Sequence, residues 1–211
     1  MFYISRMKYI AHRGLSRLYR DNSIEAIKEA LSQNYYGIEI DVQLCKSGEI
    51  VLYHDVYTPG GFVDELELVD VKKMGICSLK EVYDQLPHIR DVVLIVDIKG
   101  SNNKVSSALN KFYSKEDTSK IYFSSFNRKI TNDMSILFNI GTTFETTYLT
   151  SEYDMITKGI TCAIIHWTCL DKEFIAFCKD KNIKVFTYTH KEPQELEYML
   201  RYDVDGIITN G

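Results

Sequence analysis

Short apolar, β-rich runs alternate with stretches of helical periodicity from one end of the sequence to the other, and this alternation limits the possible folds more than any other feature. Strands are expected at residues 8–11, 37–44 with an extension at 50–53, 92–98, 121–125, 141–145, 162–166, 184–189 and 206–209. Between them, Asn22 is placed to cap a first helix, with Glu25 reaching back to its backbone and Ile24, Ile27 and Leu31 on the buried face. Further helices are expected over residues 78–86, 102–113, 127–138, 151–157, 171–181 and 193–202, the last with Pro193 in its first turn. The run Val92-Val93-Leu94-Ile95-Val96 is apolar at every position, as in a strand covered on both faces. Eight strands alternating with seven helices predict an α/β chain closed into a compact (β/α)8 TIM barrel rather than an open doubly wound sheet. A length of 211 residues suits one such domain, spanning 1–211, and not two. The sequence stops at Gly211 directly after the eighth strand, so the usual closing helix is expected to be absent or to lie outside it.

Composition narrows the function classes. With 25 Lys and Arg against 29 Asp and Glu, a formal charge of −4 and no run of five like charges, nucleic acid is not the expected partner. No apolar stretch approaches the roughly 18 residues of a spanning helix, and residues 1–10 lack the apolar core and cleavage-like end of an export signal. The five cysteines (Cys45, Cys77, Cys162, Cys169 and Cys178) are odd in number, form no C-x-x-C pair and mostly sit among apolar neighbours. Buried thiols in a reducing, cytoplasmic setting fit them better than a disulfide framework.

In a barrel of this kind the chemistry sits at the C-terminal ends of the strands. The first strand ends in His12-Arg13-Gly14, and the second carries Glu39 and Asp41, which a period of two places on one face. Its extension ends in His54-Asp55, and the third strand carries Asp97 and Lys99, again sharing a face. Carboxylates gathered on neighbouring strands resist ionising unless a cation sits among them. Oxygen ligands without a His or Cys cluster favour a hard divalent ion, Mg²⁺ or Ca²⁺ before Zn²⁺, with Glu39, Asp41 and Asp97 as ligands. Arg13 and Lys99 would then bind an anionic substrate, and His12 and His54 suit general acid and base work near neutral pH. Each fragment alone has a plainer reading, such as a surface carboxylate pair or a turn histidine. Their joint placement at strand ends points to metal-assisted phosphoryl transfer. His88 and His190 read as loop histidines, while His166 beside Trp167, and Glu145 at the end of the fifth strand, are either structural or pocket-lining.

These stretches resemble the glycerophosphodiester phosphodiesterase family. The resemblance rests on Ala11-His12-Arg13-Gly14, Asp21-Asn22-Ser23, Gly37-Ile38-Glu39-Ile40-Asp41-Val42, Ser47-Gly48-Glu49-Ile50-Val51, His54-Asp55, Asp97-Ile98-Lys99, Ser124-Ser125-Phe126-Asn127 and Asp205-Gly206-Ile207-Ile208-Thr209. It implies hydrolysis of a small glycerophosphodiester to glycerol 3-phosphate and an alcohol. His12 and His54 would be the acid/base pair, Arg13 a phosphate ligand, and Glu39 and Asp41 metal ligands. Asp21-Asn22-Ser23 stands where the family has Glu-Asn-Thr, and Asp97 stands where it has Glu, one methylene longer. The segment after His54 is also short, about twenty residues (56–76), so a pocket with little cover and loose choice of alcohol is expected. The alternatives are a lysophospholipase D or sphingomyelinase D type activity on a lipid-bearing diester, for which Phe62, Val63 and Trp167 could supply an apolar lip, and a non-catalytic barrel binding phosphorylated ligands.

Overall fold

In the computed structural model, which describes residues 7–138, 142–146 and 159–211, the elements run as follows. They are β1 (Tyr9–His12), α1 (Ile24–Ser32), β2 (Gly37–Leu44), β3 (Ile50–Leu52), β4 (Tyr57–Thr58), β5 (Gly61–Phe62), α2 (Leu68–Lys73), α3 (Leu79–Gln85) and β6 (Val93–Ile98). There follow α4 (Lys104–Tyr113), β7 (Ile121–Ser124), α5 (Arg128–Phe138), β8 (Thr142–Thr146), β9 (Ile160–His166), α6 (Lys172–Asp180), β10 (Lys184–His190), α7 (Pro193–Met199) and β11 (Gly206–Thr209). Eight parallel strands are ordered β7-β6-β2-β1-β11-β10-β9-β8, with β3 added antiparallel to the far end of β2. The two ends of this sheet, β7 and β8, lie side by side, so the strands make a nearly closed (β/α)8 barrel as the alternation predicts. The expected helix at 151–157 lies outside the described residues, as does the side chain of Glu145.

Period two sorts the side chains of each strand into two environments. One set fills the lumen: Ile10, Ile95, Cys162, Ile164, Phe186 and Ile208 pack together there, with Tyr122 and Tyr188 against them. The alternate set, including Ile38, Ile40, Leu94 and Val96, packs outward with Leu79, Leu109 and Ile130 of the helices. Because both faces are buried, the strands read as nearly unbroken apolar runs. At Gly37 β2 and the start of β6 approach closely, since a Cβ there would stand 2.7 Å from the Val93 carbonyl oxygen.

One local expectation is corrected, and one segment gains detail. The cap of α1 is Ser23, whose hydroxyl accepts from Ala26 N at 3.1 Å, and not Asn22. Asn22 adopts a left-handed backbone with φ of 58°, which an N-cap cannot use, and turns its amide inward. The segment 56–76, short as expected, carries structure of its own. It forms the β4–β5 hairpin, a 3-10 turn at Val63–Glu65 and α2, over a small core of Cys45, Val51, Val63, Val71 and Ile76. Six residues of helix leave too little periodicity to detect in a sequence.

Candidate active site

Strand register assembles the site. In the β1–β2 pairing His12 lies opposite Glu39, and in the β2–β6 pairing Asp41 lies opposite Asp97. Like charges directly opposite each other repel, so this register needs compensating cations. Glu39, Asp41 and Asp97 are all buried, and one carboxylate oxygen from each lies within 4.8 Å of the others. Lys99 supplies one compensating charge: its Nζ donates to Asp97 Oδ2 and stands 3.2 Å from Asp41 Oδ1. Arg13 supplies the other, with Nε 3.0 Å from Asp41 Oδ2 and Nη1 donating to Asp21 Oδ2 at 2.8 Å.

The turn after β1 depends on its backbone. Arg13 has φ of 57° and Gly14 φ of 76°, and this reversal aims the Arg13 amide at Glu39 Oε2, 2.9 Å away. A side chain at Gly14 would place its Cβ 2.6 Å from the Ala26 carbonyl carbon of α1, so the turn can pack this closely only as glycine. Asn22, on the same loop, gives both ends of its amide to Asp41. Its Nδ2 donates to Oδ2 at 2.8 Å, and its Oδ1 accepts from the Asp41 backbone N–H at 3.0 Å.

The two histidines are held differently. His12 is partly buried, and its Nδ1 lies 2.7 Å from Asn210 Oδ1, an acceptor, so Nδ1 carries the proton and Nε2 presents a lone pair 3.9 Å from Glu39 Oε2. His54 lies beyond the end of β3, is 42% exposed at its side chain, and has Nδ1 2.7 Å from Asp55 Oδ1.

Burial, reinforced by Asp41 and Asp97, pushes the Glu39 carboxyl well above the usual carboxylate range. For Asp41, burial pulls upward but Lys99 and Arg13 outweigh it and hold the group below its ordinary value. Burial, with Arg13 adding to it, lowers the His12 imidazole to about 4. Three carboxylates thus share two cations, one of them also engaged by Asp21, and the shortage of positive charge falls on Glu39. A hard divalent ion with oxygen ligands fits such a donor set.

All seven residues expected at the site line one cleft at the C-terminal end of the barrel: His12, Arg13, Glu39, Asp41, His54, Asp97 and Lys99. Ser124, Phe126, Tyr188 and Thr189 line it as well. Phe126 is 55% exposed, and its ring centroid lies 5.8 Å from Lys99 Nζ. His166 lines an adjoining hollow with Arg13, Lys191 and Asn210. His88 is exposed and pairs with Asp91, away from the cleft. His190 is no loop histidine: it ends β10 fully buried, with Nε2 2.9 Å from Thr187 Oγ1. The roles of Asn22 and Asn210 go unread in the sequence, because an isolated Asn reads equally well as a turn or a cap.

Comparisons with known proteins agree with this fold. The family model described as Glycerophosphoryl diester phosphodiesterase family matches residues 12–211. A glycerophosphodiester phosphodiesterase from Caldanaerobacter subterraneus is 28% identical over 229 residues, covering 95% of this chain and 93% of that protein. The structure of an Oleispira antarctica phosphodiesterase in complex with the product sn-glycerol-3-phosphate superposes with a TM-score of 0.87 at 19% identity, over 99% of this chain and 94% of that one. The glycerophosphodiester phosphodiesterase from Thermotoga maritima gives 0.80 at 21% identity, over 97% and 94%. The chain therefore belongs to the glycerophosphoryl diester phosphodiesterase family and is a phosphoric diester hydrolase.

Proposed function

We propose that this enzyme hydrolyses glycerophosphodiesters to glycerol 3-phosphate and an alcohol, with Mg²⁺ or Ca²⁺ held by Glu39, Asp41 and Asp97. The observation that carries the reading is the convergence of three buried carboxylates, two histidines and two cationic side chains in one cleft. The glycerol 3-phosphate bound to the Oleispira antarctica protein, on the same fold, supports the product. The bound ion would polarise a phosphoryl oxygen and stabilise charge developing on it.

The residues of the chain do the rest. Arg13 and Lys99 bring positive charge to the phosphate while keeping Asp41 ionised. His12, with Nδ1 held by Asn210, takes a proton at Nε2 from the attacking oxygen. His54, with Nδ1 held by Asp55, gives one to the departing oxygen. A neighbouring glycerol hydroxyl attacks first and forms a cyclic phosphate, which water then opens with the two histidines exchanging roles. A cytoplasmic setting belongs to the same proposal; it is supported by the burial of Cys45, Cys77, Cys162 and Cys178, and no described helix is long and apolar enough to cross a membrane.

Release of glycerol 3-phosphate from a panel of glycerophosphodiesters, with and without chelator, tests this reading. Activity should vanish in excess EDTA and return with Mg²⁺ or Ca²⁺. Full turnover in EDTA would remove the metal, and no release from any diester would remove the substrate class.

One observation favours a second substrate class, a diester bearing a lipid chain. Val56, Tyr57 and Phe62 are 46, 57 and 48% exposed on and beside the hairpin that follows His54, and Phe126 is exposed at the cleft. Val63 cannot contribute, being wholly buried, and Trp167 packs against His190 and Tyr198.

A further inference from the structure

We infer that Gln43 is a positioning residue for His54, acting as a buried amide clamp on the backbone either side of it. Gln43 follows Glu39 and Asp41 on the same face of β2 and is only 5% exposed. Its Nε2 lies 2.8 Å from the Tyr53 carbonyl oxygen and 2.7 Å from the Asp55 carbonyl oxygen. A primary amide nitrogen has two hydrogens, and here both go to the carbonyls that flank His54.

The need for such a clamp follows from the topology. The β2–β3 ladder pairs Val42 with Leu52 and ends there, so residues 53–55 continue past the last strand pairing. Among the described residues, the His54 side chain bonds to Asp55, a carboxylate 69% exposed and open to competition from water. A buried amide anchored in the barrel wall is the stiffer constraint. It links the backbone of His54 to the strand that carries Glu39 and Asp41. Transfer of a proton needs donor and acceptor within about 2.6 to 3.2 Å, and a displacement of about 1 Å can cost a hundredfold in rate. An apolar side chain at position 43 would leave the loop free to drift by that much.

This inference rests on His54 acting as acid and base, and a double-mutant cycle separates the two claims. Gln43→Met keeps length and bulk but cannot donate; Gln43→Glu keeps the shape and is not a donor when ionised. Each should lower kcat by about 10 to 100-fold with KM and metal affinity within about threefold of wild type. In a His54→Ala background the same substitutions should cost less than about threefold further, because a clamp has nothing left to position. An equal loss in both backgrounds would show a general structural role and overturn the inference, as would wild-type kcat in either single variant. Near-normal kcat in His54→Ala alone would instead sink the acid/base reading of His54, and the clamp with it. Should neither position 43 variant fold, the wild-type side chain still decides: both Gln43 Nε2 hydrogens should exchange slowly with solvent by NMR, and rapid exchange overturns the clamp.

Discussion

At position 22 one asparagine occupies a left-handed turn and commits both ends of its amide to Asp41, so the carboxylate is oriented by Asn22 as well as held below its ordinary pKa by Lys99 and Arg13. The histidines are fixed by equally small means, since Asn210 sets the tautomer of His12 with a neutral acceptor and Asp55 holds His54 with a charged one. If the pair exchanges protons with the reacting oxygens, His12→Ala and His54→Ala should each lower kcat by on the order of 10² to 10⁴. Residues that act as a unit lose their effect together, so the double variant should lose far less than the product of the two. Steady-state kinetics on a single glycerophosphodiester decide this; a single variant with near-normal kcat takes that histidine out of the mechanism.

At the level of elements, the proposal of a lipid-bearing substrate turns on the segment after β3. The hairpin is short but places the Tyr57 and Phe62 rings edge to face, with centroids 5.3 Å apart, while both stay about half exposed. Covering the exposed half of the Phe62 ring with a lipid chain is worth about half of the 1.5 to 3 kcal/mol for a whole Phe, roughly three- to tenfold in affinity, and a carboxylate set against the chain costs more. Phe62→Asp should therefore lower kcat/KM for a lysophospholipid diester by about tenfold or more and leave a water-soluble head-group diester within about threefold. Parallel kinetics on the two substrates read the ratio. If the ratio does not move, the lip has no part in substrate choice. This element was poorly legible in the sequence, because two-residue strands and a one-and-a-half-turn helix carry no period. The long outer helices were legible, because Ile24, Ile27 and Leu31 of α1 fall at helical spacing, and all three pack on the outer core, Ile24 and Leu31 only partly buried.

At the scale of the whole molecule, a buried histidine outside the cleft ties the stability of the barrel to pH. His190 is fully buried at the end of β10, and burial lowers its imidazole from 6.5 to about 4. Between those values the unfolded chain binds a proton that the folded chain refuses, so this residue makes stability fall as pH drops from about 6.5 to about 4. At the low end the loss is on the order of 3 kcal/mol, because each tenfold rise in proton concentration across that window favours the unfolded chain by about 1.4 kcal/mol. Urea unfolding at pH 7.5 and at pH 4.5 should show a smaller difference in His190→Gln than in wild type. An unchanged difference would mean that the buried imidazole is charged or relieved by other groups in the fold.

What the sequence determined by itself was the barrel and the composition of its rim. Alternation of strand and helix is a local property repeated along the chain, and period two is imposed by the extended backbone, so Glu39 with Asp41 and Asp97 with Lys99 could be assigned to shared faces without coordinates. What only the tertiary structure decided was who meets whom across the barrel. Strand register sets His12 beside Glu39 and Asp41 beside Asp97, and the parallel pairing of β1 with β11 brings Asn210 to His12 across 198 residues of chain. The same holds for Gln43, whose side chain reads as an ordinary polar strand residue until β3 and its following loop are folded back over it. Register and closure depend on contacts between distant segments, and those contacts leave no periodic trace in the residues that make them.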